Sequence, residues 1–111
     1  MSATPSPRTG ADAALSALGD PTRRAVLQAV AERGPLTATE LAAPAGISRQ
    51  AMSKHLGLLE QAGLVHAEKV GRETRYEIVP GSLDPAAAWL DRVGTAWDAR
   101  LGRLRRHLAE G

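Results

Sequence analysis

The chain has 111 residues, 14 basic against 12 acidic, a formal charge of +2 and no cysteine. One small domain of this length buries about two-thirds of its unfolded surface, so no covalent or metal staple is required, and disulfides and thiolate metal sites are excluded. Trp89, Trp97 and Tyr76 are the only aromatics, too few for the stacking modes of single-strand or RNA binding, so double-stranded DNA suits this composition better.

No apolar run approaches the ~20 residues that span a bilayer, and Met1 to Gly10 lacks the apolar centre of a secretory signal. Residues 1–10 read as a disordered lead-in and the protein as cytoplasmic. Asp12 to Leu18 predicts a short helix with Leu15 and Leu18 turned inward. Asp20 is placed to cap the next helix, with Pro21 at its first position where a missing N–H is harmless. That helix runs to about Arg33, buries Val26, Leu27 and Val30, and ends at Gly34-Pro35.

Thr37-Ala-Thr-Glu40 matches a capping box and starts a third helix through Leu41 and Ala42. Pro44 disfavours helical geometry in Ala43 and should keep that helix short. Ala45-Gly46-Ile47 is a tight turn into a fourth helix, capped by Ser48 and running to Ala62, with Gly63 as a left-handed stop. Met52, Leu56 and Leu59 form its apolar stripe. Leu64–Val70 and Thr74–Val79 read as two strands joined by Gly71-Arg72-Glu73, and Asp84 to about Ala109 as a long last helix. Along it, Trp89, Val93, Trp97, Leu101, Leu104 and Leu108 recur every three or four residues.

The fourth helix presents a polar, donor-rich face with no carboxylate before Glu60. Arg49 suits guanine O6 and N7, Gln50 suits adenine N6 and N7, and Ser53 serves either role. Ser48 joins this face at its start. Lys54 and His55 suit phosphates, which give affinity without sequence information, although His55 equally suits a buried or capping role. Arg72 projects from the hairpin tip and suits an A·T-rich minor groove. Lys69 and Arg75 flank it as phosphate contacts, tempered by Glu68, Glu73 and Glu77, with cross-strand pairing such as Lys69 with Glu77 as the competing use. Thr37 and Thr39 open the third helix, where free N–H groups favour phosphate and plain capping is the alternative.

Residues from about Ala14 to Val79 resemble the winged helix-turn-helix of the ArsR family of bacterial transcription regulators. The resemblance is carried by Leu18-Gly-Asp-Pro-Thr-Arg-Arg24, Leu41-Ala42, Ile47-Ser-Arg-Gln-Ala-Met-Ser-Lys-His-Leu56, Leu59-Glu-Gln-Ala-Gly-Leu-Val65 and Gly71-Arg72…Tyr76. The tail from Trp89 to Leu104 is similar to a branch without metal ligands. The expected fold is mainly α with a small β-hairpin: a winged helix-turn-helix of five helices and a two-stranded wing. The resemblance implies a dimeric, DNA-binding repressor of palindromic promoter sites. Leu15, Leu18, Trp89, Val93, Trp97, Leu101 and Leu104 are the expected dimer interface. Two departures stand out: Gly57 occupies a position where relatives often carry lysine, and Pro44 lies near the hinge into the fourth helix.

The usual thiol positions of metal-sensing relatives are Ala42 and Pro44 here, and His55, His66 and His107 are isolated in sequence. No metal site and no cofactor are expected. Without a thiol nucleophile, a phosphate loop or a nucleophile elbow, no enzyme activity is expected. The rival reading is a winged-helix module that binds another protein. A small-molecule effector is not identified by any residue.

Overall fold

The computed structural model describes residues 9–110, with side chains from Gly10 onward. Its elements in chain order are α1 (Thr9–Ala17), α2 (Pro21–Arg33), β1 (Leu36–Thr37), α3 (Ala38–Ala45), α4 (Arg49–Gln61), β2 (Val65–Val70), β3 (Glu73–Ile78) and α5 (Asp84–Glu110). The expected fold class holds: five helices and a β-hairpin wing. The lead-in expected over residues 1–10 lies, up to Arg8, outside the described residues. Its last part is corrected, because α1 already starts at Thr9. Packing explains the early start. α1 lies on α5, and a side chain at Gly10 would meet Pro85 at 3.1 Å.

Local chemistry sets the helix starts. Asp20 accepts the Arg23 backbone N–H at 3.0 Å, and Pro21 opens α2. Thr37 Oγ1 accepts the Glu40 N–H at 3.1 Å while the Thr37 N–H donates to Glu40 Oε1 at 2.9 Å, completing the capping box of α3. Ser48 accepts the Ala51 N–H at 3.0 Å and caps α4. The Leu18–Arg24 motif also has a structural job. Arg23 Nε donates to the Ala17 carbonyl at 2.6 Å and Arg24 to the Leu18 carbonyl at 2.7 Å. Both acceptors belong to the end of α1, where carbonyls lose their helical partners.

Pro44 does not stop α3, which continues to Ala45. In the last turn its ring removes only the bond that would reach the Glu40 carbonyl. The stop comes instead from Gly46 at φ 71°, a left-handed conformation glycine adopts without steric cost. The Gly46 N–H donates to the Ala43 carbonyl at 3.1 Å, and the Ile47 N–H to Ala42 at 3.3 Å. Gly63 ends α4 in the same conformation.

The sheet has three strands in the order β1-β3-β2, all antiparallel. The two residues of β1 escaped sequence reading because a pair carries no alternation. Leu36 pairs with Tyr76 and Thr37 with Arg75. The wing turn is Gly71-Arg72, one residue shorter than expected, since Val70 pairs directly with Glu73. Gly71 has φ 64° and no described non-glycine residue has positive φ, which makes a type II′ turn, whose twist matches that of the strands it joins. The register corrects another expectation. Lys69 faces Thr74, not Glu77, and Glu77 faces His66, with Nε2 and Oε1 3.6 Å apart.

The core lies beneath α4. Met52, Leu56, Leu59 and Leu64 are fully shielded from solvent, joined by Val26, Leu27, Val30, Leu41 and Val65. α2 packs against α4 and β3, and α3 against α4. α5 contributes only Ala86 to the buried set. The Cα radius of gyration is 18.7 Å, against about 13 Å for a compact domain of this length, because the 27-residue α5 projects as an arm.

Candidate nucleic-acid interface

Burial of Met52, Leu56 and Leu59 turns the opposite face of α4 outward. Ser48, Arg49, Gln50, Ser53 and Lys54 are all exposed. Arg49 and Ser53, four residues apart, share one side of this face. Both line a cleft of about 670 Å³ between α3, α4 and the wing. Thr39 enters it from the first turn of α3, and Lys69, Arg72 and Thr74 from the hairpin. Six predicted contacts that are far apart in sequence, Thr37, Thr39, Arg49, Ser53, Lys69 and Arg72, are therefore brought together. Gln50 and Lys54 stand outside the cleft lining, one step around α4. Gly57 follows on their side with open space around it.

The cleft carries carboxylates as well as cations. Glu40 and Glu73 line it, and sequence reading had not placed Glu40 there. Glu40 sits there because it is N3 of the capping box. The hydrogen bond from the Thr37 N–H holds its carboxyl below the ordinary range, with a smaller contribution from Arg75. Arg49, Lys69 and Arg72 outnumber these two acids, so the cleft suits a polyanion whose contacts are mostly phosphates.

Three expected contacts are less free than the sequence implies. Thr37 is buried, and both its hydroxyl and its N–H serve the cap. It lines the floor of the cleft and positions Thr39 through the cap. His55 is half-buried with Nδ1 shielded from solvent. It faces the start of α2, where the Arg23 N–H chiefly, and the Arg23 and His55 side chains in smaller part, lower the Asp20 carboxyl. Lying one residue after Lys54, it is turned about 100° round α4 from that exposed side chain. Arg75 is engaged by Glu73, with Nε and NH2 donating to Oε1 at 3.1 and 2.7 Å.

On α5, Trp89, Val93, Trp97 and Leu104 are 41–56% exposed, and so is Leu90 at 53%. Sequence reading missed Leu90, although its spacing of three to Val93 and seven to Trp97 puts it on the same stripe. Leu101 is half-buried, and Leu15 and Leu18 pack partly on the chain's own core. Among the described residues no helix is long and apolar enough to cross a membrane. No group of three His, Cys, Asp or Glu is placed there to hold a metal ion.

A polar helix backed by a buried stripe, a short helix before it and a basic hairpin beside it make a helix-turn-helix with a wing. Comparison with known proteins agrees. Residues 18–68 match a family described as a helix-turn-helix domain. The HTH-type transcriptional regulator Rv2034 of Mycobacterium tuberculosis is 40% identical over 84 residues, 76% of this chain and 78% of that protein. The HTH-type regulator YuzN of Bacillus subtilis, itself uncharacterized, is 45% identical over 67 residues, 55% of this chain and 73% of that one. The solved structure of an ArsR-like transcriptional regulator from Rhodococcus sp. RHA1 superposes with a TM-score of 0.75 at 35% identity, covering 98% of this chain and 99% of that one.

The chain belongs to the ArsR family of helix-turn-helix transcription regulators. As an ArsR-family protein it is a DNA-binding regulator, and α3 and α4 are its helix-turn-helix. The family match ends inside β2, so the full wing and α5 rest on the whole-chain superposition.

Proposed function

We propose that this ArsR-family protein is a homodimeric repressor of the branch without metal ligands, acting on imperfectly palindromic promoter sites in the cytoplasm, its own promoter among the candidates. The cleft that gathers Thr39, Arg49, Ser53, Lys69 and Arg72 carries this reading. Arg49 and Gln50 read base edges in the major groove, while Lys54, Lys69 and the start of α3 hold phosphates. Arg72 reaches the adjoining minor groove.

The exposed stripe of α5 supports pairing with a second copy about a two-fold axis. Two α4 helices then meet successive grooves ~34–36 Å apart, or a multiple of that distance. Repression by covering the promoter requires no catalysis. The test is selection of bound fragments from genomic DNA at two salt concentrations. An imperfect palindrome that survives the higher salt is the expected result. Equal loss of all fragments would reduce binding to charge attraction and overturn the reading.

A further inference from the structure

Of the predicted contacts, Arg75 alone has its charged group engaged among the described residues. Glu73 and Arg75, two apart on β3, share one face of the strand. Their paired hydrogen bonds at 3.1 and 2.7 Å fix the guanidinium at the margin of the cleft that Glu73 lines. Glu68 lies directly across from Arg75 on β2, and Glu40 is near enough to feel its charge. Arg72, at the wing tip, lines the same cleft with no such acceptor. The wing therefore carries two cations that are offered, Lys69 and Arg72, and one that is withheld.

We propose that Glu73 is a specificity-determining residue: it occupies Arg75 and so keeps one cation per protomer off the phosphate backbone. This rests on reading the cleft as the duplex-binding site. Glu73 takes two of the five guanidinium N–H donors, and a phosphate meeting the remaining three would sit beside that carboxylate, so the contact gains little. Binding to arbitrary sequence is almost wholly electrostatic. Withholding a cation lowers it while base contacts from α4 are untouched, and specificity is the difference between the two.

The experiment is equilibrium binding of the full chain to a random-sequence duplex between 50 and 200 mM salt, read by fluorescence anisotropy, for wild type, E73Q, R75Q and the double variant. Each phosphate contact adds about 0.9 to the salt slope, so across this range E73Q should lose affinity about 3.5-fold more steeply per protomer than wild type. R75Q should follow wild type, and the double variant should return to wild-type dependence. The ratio of affinities for a genome-selected fragment over random duplex should fall in E73Q. Parallel curves for E73Q and wild type overturn the proposal. So does a steeper slope that persists without Arg75, which would trace to the Glu73 charge alone, or a shallower slope in R75Q, which would put Arg75 already on phosphate. A wild type insensitive to salt would fail the cleft reading as well.

Discussion

Between Val26 and Val65 the chain hides most of its large apolar side chains from water, and between Trp89 and Leu108 it displays most of them. Met52, Leu56 and Leu59 on α4 are 0% exposed, whereas Trp97 and Leu104 on α5 are 56% and 52% exposed. Both helices carry an apolar stripe at helical spacing. α4 is covered by α2, α3 and β2, while α5 has α1 along part of its length. Periodicity alone thus says that a face will be covered, and the surrounding topology says by what. One region is complete within a single chain. The other is complete only against a second copy, on the reading proposed above.

The sharpest way to break this contrast is within the core. Leu56→Ala should cost about 2–5 kcal/mol by denaturant unfolding, and Leu104→Ala far less in dilute protein. Equal losses would mean the arm is as well packed as the core. Next, Trp97→Glu should weaken self-association by about 2 kcal/mol or more, since a central aromatic is a common interface anchor, leaving monomers in sedimentation at micromolar protein. A stable dimer from that variant would place the interface elsewhere. Arg49→Ala should cost ~1–3 kcal/mol on the preferred site and relax its sequence preference, without changing oligomeric state. An equal loss on random duplex would assign Arg49 to phosphate.

The smallest expected effect concerns pH. Backbone hydrogen bonds from Arg23 and Thr37 lower the Asp20 and Glu40 carboxyls below their unfolded values. A lowered carboxylate contributes stability above its unfolded pKa and loses it as pH falls through the folded one. Stability should therefore decline on the acid side of the ordinary carboxylate range. Asp20→Asn, which keeps a cap without titrating, should flatten that decline in thermal melts. An unchanged acid limb would show that the α2 cap is not part of it.

The caps at Asp20, Thr37 and Ser48 were legible in sequence because each is a contact three residues long. The buried stripe of α4 was legible because helical spacing is local too. The features that escaped depend on distant neighbours. β1 exists only because β3 lies beside it, and α3 runs past Pro44 because Gly46 closes it one residue later. His55 and Arg75 were read as contacts from their chemistry. Asp20 lies near one and Glu73 binds the other; the first neighbour could not be recognised without the packing, and the second, two residues away, was named as tempering the wing without being assigned to Arg75. The gathering of α3, α4 and the wing around one cleft was likewise implied only by family resemblance.

Ala62, Gly63 and Leu64 are all that separates α4 from β2, and Leu64 and Val65 are sealed in the core with at most 1% exposure. On the reading proposed above, α4 and the hairpin tip are thus the two jaws of a fixed caliper. A half-site with one base pair inserted between its two contacted grooves cannot be gripped by stretching the protein. New targets must then be acquired by exchanging fingertips such as Arg49 or Arg72, while the span between them stays constant.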